Sequence, residues 1–241
     1  MPDIRLFVEA ALAPAAEVAL TREQAHYLFA VMRLGVGGVV LLFNGRDGEW
    51  RAAVAEAGRR GGTLRCLEPT RDQDAPPDLE LLFAPVKKAR TDFIAEKAAE
   101  IGVRRLRPVF TRFTNSERVR VDRLRAHMVE AAEQCGLLSA PEAVEPEPLD
   151  AALDRWEPAR RLLFCDEARD APPAVEALRA AGPGAWAVLI GPEGGFAPEE
   201  RARLRAAPFA TACSLGPRVL RADTAAAAAL ALWQATLGDW R

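Results

Sequence analysis

Apolar residues recur along this chain with two different periods, and the change near residue 79 divides it. Over residues 1–70, short apolar runs at 4–8, 39–43, 50–55 and 63–67 are separated by glycine-rich turns such as GVGG and NGRDGE, a pattern that predicts short β-strands. One helix interrupts them at about 24–32, with Ala25, Leu28, Phe29 and Met32 at helical spacing. Residues 68–78, EPTRDQDAPPD, are polar, proline-bearing and aperiodic. They read as a linker, giving a β-rich domain at 1–70, a connection at 71–78 and a second domain at 79–241. From 79 onward strand and helix patterns alternate: strands at 79–83, 106–110 and 162–164, helices at 91–101, 123–135 and 173–180. Such alternation predicts an α/β fold with a parallel sheet and helices on its faces.

Residues 186–234 carry the strongest local signals. The apolar run 188–190 breaks into Gly191, Pro192, Glu193, Gly194 and Gly195, a backbone so free of side chains that a ligand can lie against its N–H and C=O groups. Pro198 with Glu199 and Glu200 then opens a helix, because proline suits the first helical position and carboxylates suit the positive helix end. A second run, 210–215, breaks into Gly216, Pro217 and Arg218 and continues through Val219, Leu220 and Arg221. Asp223 or Thr224 is the expected cap of the alanine-rich helix 223–237, which is apolar nearly all round and so needs burial on more than one side. Glycine turns at the carboxyl ends of neighbouring strands are where open α/β sheets hold ligands. No G-x-G-x-x-G and no glycine–lysine phosphate loop occurs, so the expected ligand is not gripped by its phosphates.

Composition narrows the class. Half of the 241 residues are hydrophobic and 27% are charged, enough for a packed core. No apolar run is long enough to span a bilayer and MPDIRLFVEA lacks a signal-peptide layout, so a cytoplasmic protein is expected. Cys66, Cys135, Cys165 and Cys213 stand far apart with no C-x-x-C pair, and His26 and His127 carry no ligand spacing. These positions argue against a zinc site and fit reduced thiols. Net charge is only −2, but residues 84–125 hold twelve basic against five acidic residues, and 126–160 eight acidic against two basic. The basic block reads either as a phosphate-facing patch or as a plain solvated face.

LIGPEGGF at 189–196 and SLGPRVLRADTA at 214–225 resemble the paired C-terminal motifs of the RsmE family, the 16S ribosomal RNA uridine-N3 methyltransferases of the SPOUT superfamily. HYLFAVMRLGVGG at 26–38, KKARTDFIAEKAAEIGV at 87–103 and EAAEQCG at 130–136 match in the same order, so the resemblance spans nearly the whole chain. It implies a SPOUT-type trefoil-knotted parallel sheet behind a small PUA-like β-barrel, S-adenosylmethionine as cofactor, 16S rRNA of the small ribosomal subunit as partner, a homodimer, and uridine 1498 as target. Two departures stand out. Leu137 follows EQCG where the family usually has arginine, and Asp223 stands where glutamate is common.

S-adenosylmethionine has no phosphate, so bare amides and apolar side chains suit it. The expected cofactor residues are Phe164, Cys165, Ile190, Gly191, Gly194 and Gly195, with Leu215, Gly216, Val219 and Leu220 around the adenine. Uridine N3 attacks well only after losing its proton, and a guanidinium near the flanking carbonyls stabilises that anion. Arg221 is the expected group, with a loop-capping arginine as the alternative. Glu193 has three roles open: orienting that arginine, accepting the proton, or accepting hydrogen bonds from turn amides. Arg33, Lys87, Lys88, Arg90 and Arg112 are the expected RNA contacts. Another SPOUT enzyme acting on a ribose oxygen or a different base, or a non-catalytic ribosome-assembly protein, fits the same motifs.

Overall fold

The computed structural model describes residues 4–58, 60–116, 118–168 and 170–240. They form two compact units: one runs up to Ala75 and takes in Ala132–Ala140, the other holds Pro76–Ala131 and everything from Pro141 on.

The first unit contains β1 (Arg5–Phe7), β2 (Glu17–Ala19), α1 (Arg22–Ala25), which continues into a π-helical turn at His26–Val31, then β3 (Val39–Phe43), β4 (Glu49–Gly58) and β5 (Gly61–Arg71). Its strands make a five-stranded sheet among the described residues, ordered β1-β3-β4-β5-β2, parallel at β1–β3 and antiparallel elsewhere. Leu28, Leu42, Val54 and Leu64 fill its core. The helix starts two residues before the expected position because Thr21 and Gln24 cap it reciprocally: the Thr21 hydroxyl accepts from Gln24 N at 3.2 Å and Gln24 Oε1 from Thr21 N at 3.0 Å. β2 escapes a periodicity reading because only Val18 of its three residues is buried. Residues 132–140 belong here through Arg5, whose guanidinium donates to Ala132 O at 2.9 Å and Leu137 O at 2.7 Å. Leu137 packs beside Phe43, Ala132 and Leu138, so the unusual residue at that position serves an apolar cluster.

The second unit contains β6 (Leu79–Phe83), α2 (Lys88–Glu100), β7 (Arg105–Phe110), α3 (Val121–Cys135, its last turn counted with the first unit), β8 (Glu142–Ala143), β9 (Glu147–Pro148), α4 (Leu149–Asp154), β10 (Arg161–Cys165), α5 (Ala174–Ala181), β11 (Trp186–Ile190), α6 (Pro198–Ala206), β12 (Ala210–Cys213) and α7 (Ala222–Thr236). The strands run parallel in the order β12-β10-β11-β6-β7-β8, with β9 also on β7. Side chains of a strand point alternately to the two faces. Leu81, Leu163 and Val188 therefore meet α2, α5 and α7 on one face, while Leu82, Leu162, Phe164 and Leu189 meet α4 and α6 on the other. Burial on both faces is why these strands read as unbroken apolar runs. Among the described residues, no helix is long and apolar enough to cross a membrane.

In this unit α3 starts two residues before the expected 123, and the starts of α2 and α7 also differ from expectation. α2 begins at Lys88 because Thr91, the expected first residue, is buried and bonds Val86 with its hydroxyl, accepting from N at 3.1 Å and donating to O at 3.0 Å. α7 begins at Ala222 with Arg221 in the cap position and no side-chain cap. Asp223 lies inside the first turn, where a carboxylate favours the helix dipole.

Glu80 breaks the apolar run of β6 and is 3% exposed. Its carboxylate takes Arg105 at 3.1 Å and Arg107 at 3.0 Å, with Arg160 Nε at 3.6 Å. Removing one member of a buried ionic cluster leaves the rest uncompensated. Glu80→Gln is expected to lower unfolding free energy by about 3 kcal/mol in urea titration, against under about 0.5 kcal/mol for an ordinary surface exchange such as Glu56→Gln.

Candidate functional site

Because β10, β11 and β12 are in parallel register, with Cys165 opposite Cys213 and Phe164 opposite both Leu189 and Ala212, their carboxyl ends stop at nearly one level. The chain after each strand forms one wall of a cavity of about 240 Å³. Cys165, Asp166 and Glu167 come from β10, Ile190 through Gly195 from β11, and Leu215, Gly216, Arg218, Val219 and Leu220 from β12. Ala222 and Ala225 of α7 complete it.

The β11 wall is a corner that excludes side chains. A Cβ on Gly191 would lie 2.6 Å from the Phe196 ring, and one on Gly195 2.5 Å from Glu167 Oε1, at φ +71°. Gly195 N donates to Pro192 O at 2.9 Å, closing the turn. Phe196 is held from below by Phe164, ring edge to ring face at 5.1 Å. Phe196 N donates to Glu167 Oε1 at 3.0 Å, and Glu167 also pairs with Arg201 of α6. Asp166, its side chain fully buried, takes Arg201 Nε at 3.1 Å and Arg205 Nε at 2.8 Å. The start of α6 is fixed in turn by Glu200 Oε2, which accepts from Ala197 N at 2.9 Å. Cys213 Sγ lies 3.9 Å from Cys165 Sγ. That neighbour, with burial second, pushes the Cys165 thiol well up, so it is a neutral wall atom rather than a nucleophile.

Of the expected cofactor residues, nine line this cavity: Cys165, Ile190, Gly191, Gly194, Gly195, Leu215, Gly216, Val219 and Leu220. Phe164 does not. It is fully buried one layer down, because alternation turns it to the α4–α6 face, and it supports Phe196 instead. Of the two expected catalytic residues, Glu193 is on the rim and Arg221 is exposed just outside the lining residues, at the cap of α7.

The ion pairs also differ from expectation. Glu193 pairs with Arg90, not Arg221, and Arg90 Nε also lies 3.9 Å from Asp223 Oδ2. Arg90, expected as an RNA contact, is thereby neutralised and bridges the glycine loop to α7. Much of the basic block is spent in the same way: Arg105 on Glu142, Arg107 on Glu147, Arg123 on Asp92, Lys97 on Glu100. Among the described residues no carboxylate pairs with Arg33, Lys87, Lys88 or the Arg112 guanidinium, and each is exposed. Arg33 ends its helix in the left-handed region at φ 57°.

Sequence reading missed the Asp166–Glu167 brace. Its signal was present: two carboxylates directly after a strand, and Arg201 and Arg205 four residues apart on one face of α6.

Residues 73–234 match the RNA methyltransferase domain and 20–65 the PUA domain of RNA methyltransferases. Ribosomal RNA small subunit methyltransferase E of a Synechocystis strain is 31% identical over 227 residues, covering 92% of this chain and 74% of that protein. The Mycobacterium tuberculosis protein of the same name is 30% identical, covering 90% and 88%. A Legionella pneumophila methyltransferase structure, solved with SAM bound, superposes with a TM-score of 0.88 at 27% identity over 98% of both chains. With the domain match covering most of its length and these relatives alike along nearly all of it, the chain belongs to the ribosomal RNA small subunit methyltransferase E family.

Proposed function

We propose that this protein methylates N3 of a uridine in 16S ribosomal RNA, with S-adenosylmethionine held in the cavity at the ends of β10, β11 and β12. The observation that carries the reading is the corner at Gly191 and Gly195, where backbone is open to a ligand and no Cβ fits. The residues present suit the cofactor. Amides of the 191–195 and 215–220 turns face a wall of Ile190, Leu215, Val219 and Leu220, with no phosphate loop. When bound, S-adenosylmethionine supplies a methyl group on a cationic sulfur, already activated for transfer.

The chain must supply an anionic uridine and hold it in line. Arg221, exposed beside the cavity and without an acidic partner among the described residues, is free to stabilise charge on the carbonyl oxygens flanking N3. Arg218 lines the cavity itself and is a second guanidinium at the same rim. Glu193, held by Arg90, keeps the glycine loop against α7. Uridine 1498 as the target nucleotide is the reading that the family resemblance supports. We also take the passage from β12 to α7 to be a trefoil knot. In its support, β12 is the outermost strand, yet the helix that follows packs on α2, α5 and the central β11. A homodimer fits α7, which leaves Ala227, Ala228, Ala231 and Leu232 partly exposed.

Three outcomes test this. Mapping methylated nucleotides in 16S rRNA from a deletion strain should show N3 methylation of the target lost and restored by the gene; a ribose methyl lost instead would identify a different reaction. Saturating S-adenosylmethionine at about 100 times its dissociation constant should stabilise the wild type by about 2.7 kcal/mol, and Gly195→Ala should bind it at least about tenfold more weakly by calorimetry. Arg221→Ala should bind it normally and transfer methyl about a hundredfold more slowly in single-turnover assays.

A further inference from the structure

The loop from β7 to α3 passes beside the cofactor corner, and its most exposed apolar residue is Phe113, at 43%. A Cβ on Gly194 would lie 3.2 Å from Phe113 Cβ, so the aromatic side chain stands directly against the glycine loop. It is presented rather than loose. Thr111 N donates to Thr114 Oγ1 at 2.9 Å and Thr114 N to Thr111 O at 3.1 Å, closing a turn around it. Arg112 N donates to Glu200 Oε1 at 2.8 Å, and the other oxygen of Glu200 caps α6. One carboxylate therefore fixes the Phe113 turn and the end of the cofactor loop together.

Farther along the same loop lies a cleft of about 280 Å³, lined by Lys88 at the start of α2 and by Arg118, Arg120 and Arg123 around the start of α3. Among the described residues its one lining carboxylate, Asp92, is held by Arg123 through two bonds of 2.7 and 2.6 Å, which keep the Asp92 carboxyl below its usual range. Arg120 pairs with Asp122. Lys88 and Arg118 are exposed; Lys88 adds to the positive field on Asp92 without an ion pair, and no described carboxylate pairs with Arg118. The cleft is therefore net positive, and it sits one strand over from the corner, since β6 lies between β11 and β7.

We propose that this loop is the seat of single-stranded RNA: the target base stacks on Phe113 beside the cofactor cavity, and Lys88 and Arg118 take a flanking phosphate. The proposal rests on the methyltransferase reading and names its substrate contacts. An aromatic face and cations a short way along one groove are what an unstacked strand requires, since every base has a π-face and every link a charge.

The two contacts separate by salt dependence. Binding of a 16S rRNA fragment containing the target uridine is measured at several salt concentrations, with cofactor-induced thermal stabilisation as the control for folding. Phe113→Ala should weaken binding roughly tenfold at every salt, and Phe113→Tyr should restore it. Lys88→Ala with Arg118→Ala should weaken binding at low salt and lower the log–log salt slope by about 0.7, the value for one neutralised phosphate of a single strand. Both variants should keep the cofactor's stabilisation. Unchanged RNA affinity and slope in variants that still bind cofactor overturns the assignment while leaving the methyltransferase reading intact. If inorganic phosphate stabilises the wild type but not the double variant, while RNA binding is unaffected, the cleft holds a free anion and the assignment fails. Absence of RNA methylation by the wild type instead defeats the underlying reading.

Discussion

The Phe196 ring occupies the space that a side chain on Gly191 would need, and the rest of the site follows from that packing. Phe164 holds the ring from the sheet, Glu167 holds its backbone N–H, and Arg201 holds Glu167. The glycine loop is therefore braced from behind, and Gly191, Gly194 and Gly195 leave its amides open to a ligand. A flexible glycine loop must be ordered at the moment of binding, at about 1–2 kcal/mol per residue. Here that cost is met by folding, through contacts that lie behind the loop and leave its front free.

The charges follow a related division. Carboxylates and guanidiniums brought together by the sheet neutralise one another: Glu80 beneath three arginines, Asp166 between Arg201 and Arg205, Asp92 against Arg123. Several of the cations left over among the described residues, Lys87, Lys88, Arg112, Arg118, Arg218 and Arg221, are exposed residues of loops and helix starts at the carboxyl ends of the strands. A nearly neutral chain thus carries a positive rim around its ligand end. Long-range attraction of RNA needs only that local field, whatever the net charge.

The alternating strand and helix order, the parallel sheet and the two glycine corners were legible in the amino-acid order, because each depends on local periodicity or on residues with special backbone freedom. Nine of ten expected cofactor residues reach the cavity for the same reason: they end strands or lie in the turns that come after them. Phe164 failed by one step of strand alternation, a distinction that an all-apolar run cannot express. The basic block 84–125 was legible as charge but not as partners. Arg105 and Arg107 meet acidic residues about 40 positions away only when β8 and β9 lie along β7.

What the sequence determined alone was therefore the set of elements and the places where backbone is exposed, both properties of neighbouring residues. Tertiary structure decided which charges are paired and what each loop touches: Arg90 against Glu193, Phe113 against Gly194, Glu167 behind Gly195. Those contacts join segments 28 to 103 residues apart, and their energies depend on distances that no local pattern encodes.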